Sequence, residues 1–387
     1  MVGNFPMKKL GIMMTAIAII GLIYVTRRAD GVVEKMKQDI AEHAEKELRV
    51  PAYGSIVYTP LWIEYLREHP VGNKPVVGMF GPSTVYGTTV KESRNTTAGV
   101  LQANMKNKRV LNFGLSGARL TETYAILASV VDDIDVAVYE INYGILPATD
   151  NEPEVAVYPV LLSKLDQNIP RSWLDPFPKK DKGSVPSAVH NRVTTGILNQ
   201  WTLYHDRDVL SYRYLKTRTP TEKLRRDIQT IRDRRKGIAP TYTPPFKSYD
   251  ELKTRQQEEI VKHYADLYKW EQPFDSSSSF GLFMMGKTLD LLDHHRIQAV
   301  FYSAPLDNQL ISERQLLNWN EYDTVMGAYR QLIESRGYPF IEFNHEAVNV
   351  VPHEYYHDTS HLIDKGSAVF GEILLERLKI LGITDTP

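Results

Sequence analysis

The chain has 387 residues, no cysteine and a formal net charge of -1. The absence of cysteine excludes disulfides, thiolate catalysis and cysteine zinc sites, and the near-neutral bulk charge argues against a nucleic-acid partner. A chain of this length can bury a sizeable core, in one large domain or in two ordinary ones.

The N-terminus carries an uncharged run at residues 10–25, with Lys8 and Lys9 before it and Arg27 and Arg28 after it. Such a run is at the short end for a membrane-spanning helix. A cleaved signal peptide is the alternative, but no small-x-small cleavage site follows the run. We therefore predict an uncleaved anchor over residues 1–28, with the large folded part outside the cytoplasm. The basic residues at both ends decide this orientation only weakly.

Residues 29–70 are charged and amphipathic, which predicts a solvated, helical juxtamembrane segment. Beyond it, over residues 71–387, apolar runs typical of buried strands fall at 76–80, 110–115, 136–141, 299–303 and 339–343. Helical patterns fall between or after them at 97–107, 121–131, 281–296, 313–336 and 365–381. This alternation predicts an α/β domain with a mostly parallel sheet that is covered on both faces.

The third and fourth predicted strands are separated by residues 147–280, far more than one crossover needs. We predict that this insertion is a cap on the carboxyl edge of the sheet and forms part of an acceptor groove. Within it, residues 207–236 contain eleven Lys or Arg and four Asp or Glu. Both a solvated helix face and contact with an anionic polymer or lipid headgroups fit this basic segment.

Polar residues fall at the ends of the predicted strands. Ser83 follows the first strand, Gly117 the second and Asn142 the third, while Asp358 and His361 precede the last helix. Ser83 would attack an acyl carbon, His361 would take its proton, and Asp358 would fix the imidazole tautomer. The Ser83 and Gly117 backbone N–H groups and the Asn142 amide would hold the oxyanion. Taken singly, Ser83 also fits a helix cap, and Gly117 and Asn142 fit turns.

In this order and spacing, the four blocks resemble those of the SGNH (GDSL-like) hydrolase superfamily. The block from Asp358 to His361 is the strongest match. Two departures are that the usual Gly-Asp-Ser is Gly-Pro-Ser at residues 81–83, and that the block around Asn142 lacks the usual Gly-x-Asn-Asp. The resemblance implies a three-layer, flavodoxin-like α/β fold and a serine hydrolase or O-acyltransferase that needs no metal or cofactor.

An anchored chain with a long insertion is similar to extracytoplasmic SGNH members such as the teichoic-acid D-alanine transfer protein and the alginate O-acetylation proteins. These relatives imply acyl transfer or deacylation, of acetyl or a similar group, on a bacterial cell-envelope polysaccharide or teichoic-acid-like polymer. They also imply a single-pass protein of the bacterial cell membrane, with a membrane-bound O-acyltransferase as a partner. Both implications rest on analogy.

Two further hypotheses stand beside this one. His353-Glu354-Tyr-Tyr-His357 matches the His-Glu-x-x-His motif of zinc metallopeptidases, in which a helix presents both imidazoles to the metal. Pro352 before the motif and the weak helix formers after it disfavour that helix. The other hypothesis is a non-catalytic scaffold that binds glycan within a polysaccharide-modification complex.

Overall fold

The structure, a computed structural model, describes residues 7–44, 48–50, 55–69, 74–151, 201, 203, 210 and 246–384. The chain forms two compact units, one from Met1–Glu42 with Asp181–Ile238 and the other from His43–Lys180 with Ala239–Pro387. The predicted basic segment at 207–236 and most of the predicted cap lie outside the described residues.

In the first unit, helix α1 (Met7–Ala44) contains a segment that is long and apolar enough to cross a membrane. Its apolar side chains between residues 12 and 25 are exposed, with Ile12 at 72% and Ile20 at 66%. An apolar surface of this kind is unfavourable in water. The helix therefore indicates a membrane anchor or a signal peptide, two roles that share this pattern.

The charged segment after the apolar run continues the same helix. Helix α1 ends at Ala44, and Val33, Met36 and Ile40 form a buried stripe along it. Residues spaced by three or four share one face of a helix. This stripe is the apolar face that the spacing in the sequence indicates.

The second unit contains a five-stranded sheet made of β1 (Val76–Phe80), β2 (Arg109–Asn112), β3 (Val136–Ile141), β4 (Gln298–Ser303) and β5 (Phe340–Ile341). All pairings are parallel and the order is β2-β1-β3-β4-β5. The predicted α/β class with a parallel sheet is confirmed, in the flavodoxin-like order. In this order the chain switches direction between β1 and β3, where ligands bind beyond the carboxyl ends of the strands.

Among its described residues, this unit has the helices α2 (Ser55–Glu68), α3 (Ser83–Tyr86), α4 (Thr97–Asn104), α5 (Leu120–Val130), α6 (Leu146–Asn151), α7 (Thr254–Leu267), α8 (Phe280–His295), α9 (Asn308–Glu313), α10 (Trp319–Ser335) and α11 (Asp364–Ile380). Helices α5, α8 and α10 cover one face of the sheet, and α4 and α11 cover the other. Strand residues alternate between the two cores, so that Tyr139 packs toward the first and Val138 toward the second.

One predicted helix is divided in the structure. Residues 313–336 were expected to form a single helix, but α9 ends at Glu313 and α10 begins at Trp319. The Asn318 side chain accepts hydrogen bonds from the backbone N–H groups of Asn320 at 3.1 Å and Glu321 at 3.4 Å. An asparagine cap of this kind starts a new helix even though the apolar period continues through Leu316 and Leu317.

The segment that follows α1 lies beside the outer edge of β2. The Asn112 backbone N–H donates to the Leu48 carbonyl at 3.3 Å, and Arg49 forms a parallel bridge with Asn112. The Arg49 guanidinium, which is buried, donates to the carbonyls of Gly87 at 2.7 Å and Lys91 at 3.1 Å. Arg49 therefore ties the edge of the sheet to the loop that follows α3.

Candidate active site

Ser83 is the first residue of α3 and lies just beyond the carboxyl end of β1. The turn that leads into it needs glycine, because a Cβ at Gly81 would lie 2.5 Å from Val85 Cγ2 and 3.0 Å from Glu140 Cβ. The helix ends at Gly87, with φ at +76°, whose backbone N–H donates to the Ser83 carbonyl at 2.9 Å. This tight strand-to-helix turn fixes the Ser83 hydroxyl at the switch point of the sheet.

A short loop presents Asp358 and His361. Tyr356 and Leu362 form an antiparallel bridge at its base, and the His357 N–H donates to the His361 carbonyl at 2.8 Å. Asp358 Oδ1 accepts the backbone N–H groups of Ser360 at 2.9 Å and of His361 at 2.8 Å. The carboxylate therefore organises the loop that carries its histidine partner.

Ser83, His361 and Asp358 form a continuous hydrogen-bonded relay. Ser83 Oγ lies 2.8 Å from His361 Nε2, and His361 Nδ1 lies 2.9 Å from Asp358 Oδ2. An ionised carboxylate has no proton to donate. Nδ1 therefore carries the proton and donates it to Asp358, which leaves the Nε2 lone pair to accept the Ser83 hydroxyl proton. This tautomer is the one that a general base needs.

The electrostatics of the pair favour this arrangement. Burial would raise the pKa of Asp358, but the His361 charge and three hydrogen bonds outweigh burial and hold that pKa well below its usual range. Burial would lower the pKa of His361, but the charge and hydrogen bond of Asp358, with a smaller contribution from Glu140, raise it. Asp358 is therefore ionised at neutral pH, and the imidazolium that forms on proton uptake is stabilised.

Two tyrosines, one in α7 and one at the residue that follows it, support the same loop. Tyr264 Oη lies 3.1 Å from both Ser360 Oγ and His361 Nδ1, and Tyr268 Oη lies 2.7 Å from Thr359 Oγ1. Burial, together with the Asp358 charge, holds the pKa of Tyr264 well above its usual value, so its phenol stays neutral. Helix α7 falls within the predicted insertion, so this part of the insertion contacts the candidate site.

The residues predicted to hold the oxyanion differ in how closely the structure connects them to Ser83. Asn142, at the end of β3, is buried, and its Nδ2 lies 3.4 Å from Thr84 Oγ1, next to the nucleophile. Gly117 lies in the loop after β2 with φ at +76°. That loop reaches the Ser83 turn through Thr88, whose Oγ1 is 3.4 Å from Ser116 Oγ and 3.3 Å from the Ser83 carbonyl. The connection between Gly117 and Ser83 is therefore indirect.

Sequence reasoning missed two groups beside the relay, Glu140 and Tyr264. Glu140 lies in β3 and its carboxylate contacts the Thr84 hydroxyl. Its signal was available, since it is a charged residue inside an otherwise apolar strand and such a charge is costly to bury. Tyr264 had no such signal, because nothing in the sequence of α7 links it to a loop almost a hundred residues further along the chain.

The His-Glu-x-x-His segment does not form the helix that a zinc site of that type requires. His353 begins a three-residue 3₁₀ turn that ends at Tyr355. Its Nδ1 lies 2.5 Å from Asp307 and its Nε2 3.2 Å from Asp250, while His357 Nδ1 donates to the Lys247 carbonyl at 2.6 Å. Although burial opposes it, the two carboxylates raise the pKa of His353. They favour an imidazolium, which has no lone pair to offer a metal.

No protein-family model matches the chain, and a search of curated proteins found no match. The fold defines the chain as an α/β protein with an all-parallel five-stranded sheet in its second unit, and the comparisons identify no family.

Proposed function

We propose that this protein is an SGNH-type serine hydrolase or O-acyltransferase, with Ser83 as nucleophile, His361 as general base and Asp358 as the residue that orients it. The observation that carries the proposal is the relay from Ser83 Oγ through His361 to Asp358, with both links at hydrogen-bond distance. Its position at the switch point of a parallel sheet, where ligands bind in this class of fold, supports the same conclusion.

The chemistry proceeds in two steps. Ser83 Oγ attacks the acyl carbon while His361 Nε2 accepts the hydroxyl proton. The imidazolium then returns this proton to the leaving alcohol, and an ester to Ser83 remains. In the second step His361 takes a proton from water or from a sugar hydroxyl, which attacks the acyl carbon. The imidazolium then returns this proton to Ser83 Oγ as the ester bond to it breaks. With water as the acceptor of the acyl group the protein is an esterase, and with a sugar hydroxyl as the acceptor it is a transferase.

The oxyanion of each tetrahedral intermediate would be held by the backbone N–H groups of Ser83 and Gly117 and by the Asn142 amide. The Asn142 Oδ1 accepts the Gly144 N–H at 2.9 Å, so the amide nitrogen is turned the other way, toward Thr84. Each such donor contributes about 3 kcal/mol of transition-state stabilisation.

The substrate class and location follow from the resemblance and from α1. An apolar N-terminal helix that remains in the membrane would hold the second unit at a bacterial membrane surface, outside the cytoplasm. There it would act on acetyl or similar acyl groups of an envelope polysaccharide or teichoic-acid-like polymer, with a membrane-bound O-acyltransferase as the acyl source. This step rests on analogy with SGNH proteins.

The test uses the full chain in detergent. Wild-type protein should hydrolyse 4-nitrophenyl acetate, and a fluorophosphonate probe should label Ser83, as located by peptide mass spectrometry. Ser83→Ala should abolish labelling, and Ser83→Ala and His361→Ala should each lower kcat by about 10³-fold or more, because the members of a triad act as a unit.

His353→Ala is the matched control, since this histidine is also paired with a carboxylate but lies outside the relay. It should keep labelling and kcat within about threefold of wild type. If Ser83→Ala retains wild-type turnover, the proposal is wrong. Loss of turnover in His353→Ala alone, with zinc found by elemental analysis, would favour the peptidase. Glycan binding without turnover in any variant would favour the scaffold.

A further inference from the structure

A second carboxyl group lies beneath the candidate site. Glu140 is 3% exposed and lines the same pocket as Ser83 and His361. Its partner in the β3–β4 register is Tyr302, on the face of the sheet that α4 and α11 cover. An aliphatic side chain would fill this position without the cost of burying a carboxyl, so simple packing does not explain a glutamate here.

Glu140 begins a chain of polar contacts that ends at the amide of Asn142. The Thr84 hydroxyl donates to Glu140 Oε1. Thr84 Oγ1 in turn lies 3.4 Å from Asn142 Nδ2, while Asn142 Oδ1 is held by the Gly144 N–H at 2.9 Å. With its hydroxyl proton turned toward Glu140, Thr84 presents a lone pair to the amide. One N–H of Asn142 is then held by Thr84, and the orientation of the second N–H is fixed.

We propose that Glu140 is a positioning residue of this site, which orients the Asn142 amide through Thr84 and sets the basicity of His361 by its charge. The inference rests on the proposed function and extends it to a residue that no motif contains. Glu140 acts through Thr84 and His361 and does not touch the reacting atoms.

The groups around Glu140 allow its carboxyl to be either neutral or ionised. Thr84 faces it from α3, Tyr302 from β4, and His361, backed by Asp358, from the loop at 356–362. Thr97 of α4 and Ser367 and Phe370 of α11, which line the same pocket, carry no charge. No lysine or arginine within the described part of the chain forms an ion pair with this carboxyl.

The charge of Glu140 therefore changes in the pH range where His361 works. Burial raises the pKa of Glu140 to about 7, although hydrogen bonds from Thr84 and Tyr302 and the His361 charge oppose the rise. When ionised, Glu140 favours the imidazolium and makes His361 more basic. When neutral, it leaves the basicity of His361 to Asp358 alone.

The experiment measures 4-nitrophenyl acetate hydrolysis by the full chain in detergent between pH 5 and 9. In Glu140→Gln we expect kcat at pH 8 and KM to stay within about threefold of wild type, because the glutamine oxygen can still accept from the Thr84 hydroxyl. The acidic limb of kcat/KM should instead move to lower pH by ~0.5–1 unit, because the residue that favours the imidazolium no longer carries a charge.

Two Thr84 variants separate the contacts from the charge. Thr84→Val keeps the shape and removes the hydroxyl, so it should lower kcat about 10-fold, with KM within about twofold and no shift of the acidic limb, because a misdirected Asn142 amide weakens transition-state binding and not substrate binding. Thr84→Ser should remain within about twofold of wild type, since the hydroxyl is retained. The matched control is Glu342→Gln, another carboxyl that accepts from a serine and a tyrosine hydroxyl, Ser303 and Tyr322, but has no contact with the relay. It should leave kcat and the pH profile unchanged.

The outcomes distinguish this inference from the proposed function. If Ser83→Ala is inactive while Glu140→Gln and Thr84→Val both match wild type, the role of Glu140 is refuted and the nucleophile stands. Full activity in Ser83→Ala would refute both the proposed function and the role of Glu140. If Glu140→Gln does not fold, Thr84→Val decides, since an unchanged kcat there overturns the inference and a loss that Thr84→Ser does not share supports it.

Discussion

Replacement of Asp358 by asparagine should inactivate the site while leaving its loop in place. Asp358 Oδ1 receives the N–H groups of Ser360 at 2.9 Å and His361 at 2.8 Å, so the asparagine oxygen must occupy that position. The amide nitrogen then takes the place of Oδ2, which lies 2.9 Å from His361 Nδ1. Two N–H groups cannot face each other there, and Oδ1, although it lies 3.0 Å from Nδ1, already accepts two backbone N–H groups. The ring therefore moves its proton to Nε2, where it points at Ser83 instead of accepting from it.

The expected magnitude follows from this forced change of tautomer. Substitutions that hold a triad histidine in the wrong tautomer lower kcat by about 10⁴-fold, which corresponds to about 5.5 kcal/mol in the activation free energy. Stability should change little, because both backbone bonds to the loop remain. Tyr264, with its hydroxyl 3.1 Å from Nδ1, can donate to the new lone pair and stabilise the inactive form.

The assay is pre-steady-state and steady-state hydrolysis of 4-nitrophenyl acetate at pH 8, with thermal denaturation of the same sample as the folding control. Asp358→Ala is the comparison, because it loses the two loop bonds as well and should lower the melting temperature. A folded Asp358→Asn protein with kcat within tenfold of wild type would refute the tautomer argument.

Five further predictions concern stability, turnover and location. Gly371→Ala should destabilise a fragment that begins at His43 by about 1–3 kcal/mol in urea unfolding, because the new Cβ would lie 2.7 Å from Val100 Cβ. Gly286→Ala, another helical glycine with nothing within 4 Å of its Cβ position, should instead stabilise it by ~0.5–1 kcal/mol. The pKa of Glu140, raised to about 7, means that stability from its neutral form is present near pH 4.5 and lost as pH rises to 7. The unfolding free energy of Glu140→Gln relative to wild type should therefore grow by about 3 kcal/mol over that range. A fragment that starts at Pro51, and so lacks Arg49, should melt at a lower temperature and turn over ester more slowly than one that starts at His43. The full chain should resist carbonate extraction from membranes, and protease added to intact protoplasts should digest its second unit; protection would reverse the orientation.

The sheet was predictable from the sequence because its central strands are nearly continuous apolar runs. The bounds predicted for β1 and β3 are those observed. The run at 110–115 is apolar apart from Asn112 and Gly114, and β2 ends at Asn112. The Asn112 side chain donates to the Val85 carbonyl at 2.8 Å and accepts the Gly114 N–H at 2.9 Å, which turns the chain out of the sheet. The sequence shows a polar residue within this run, but it does not show the hydrogen bonds of that residue, which set where the strand ends.

Part of the candidate site was likewise predictable from the sequence, and part was not. Residues at the carboxyl ends of parallel strands meet at one edge, so proximity of Ser83 and the loop at 356–362 follows from the strand pattern. The contact of Glu140 with Thr84 and the approach of Tyr264 to His361 depend on side-chain packing between segments far apart in the chain. The catalytic roles of all these residues stay predictions until turnover is measured.

The backbone contact between Leu48 and β2 has a consequence for solubility. An edge strand offers unpaired N–H and C=O groups that invite pairing with another chain. At one edge of this sheet the Leu48 carbonyl already accepts the Asn112 N–H at 3.3 Å, and at the other edge β5 is only two residues long. The residues that follow α1 therefore shield the sheet from intermolecular strand addition. A second unit cut free after residue 50 would expose β2 and be prone to self-association through this edge, whatever the state of its active site.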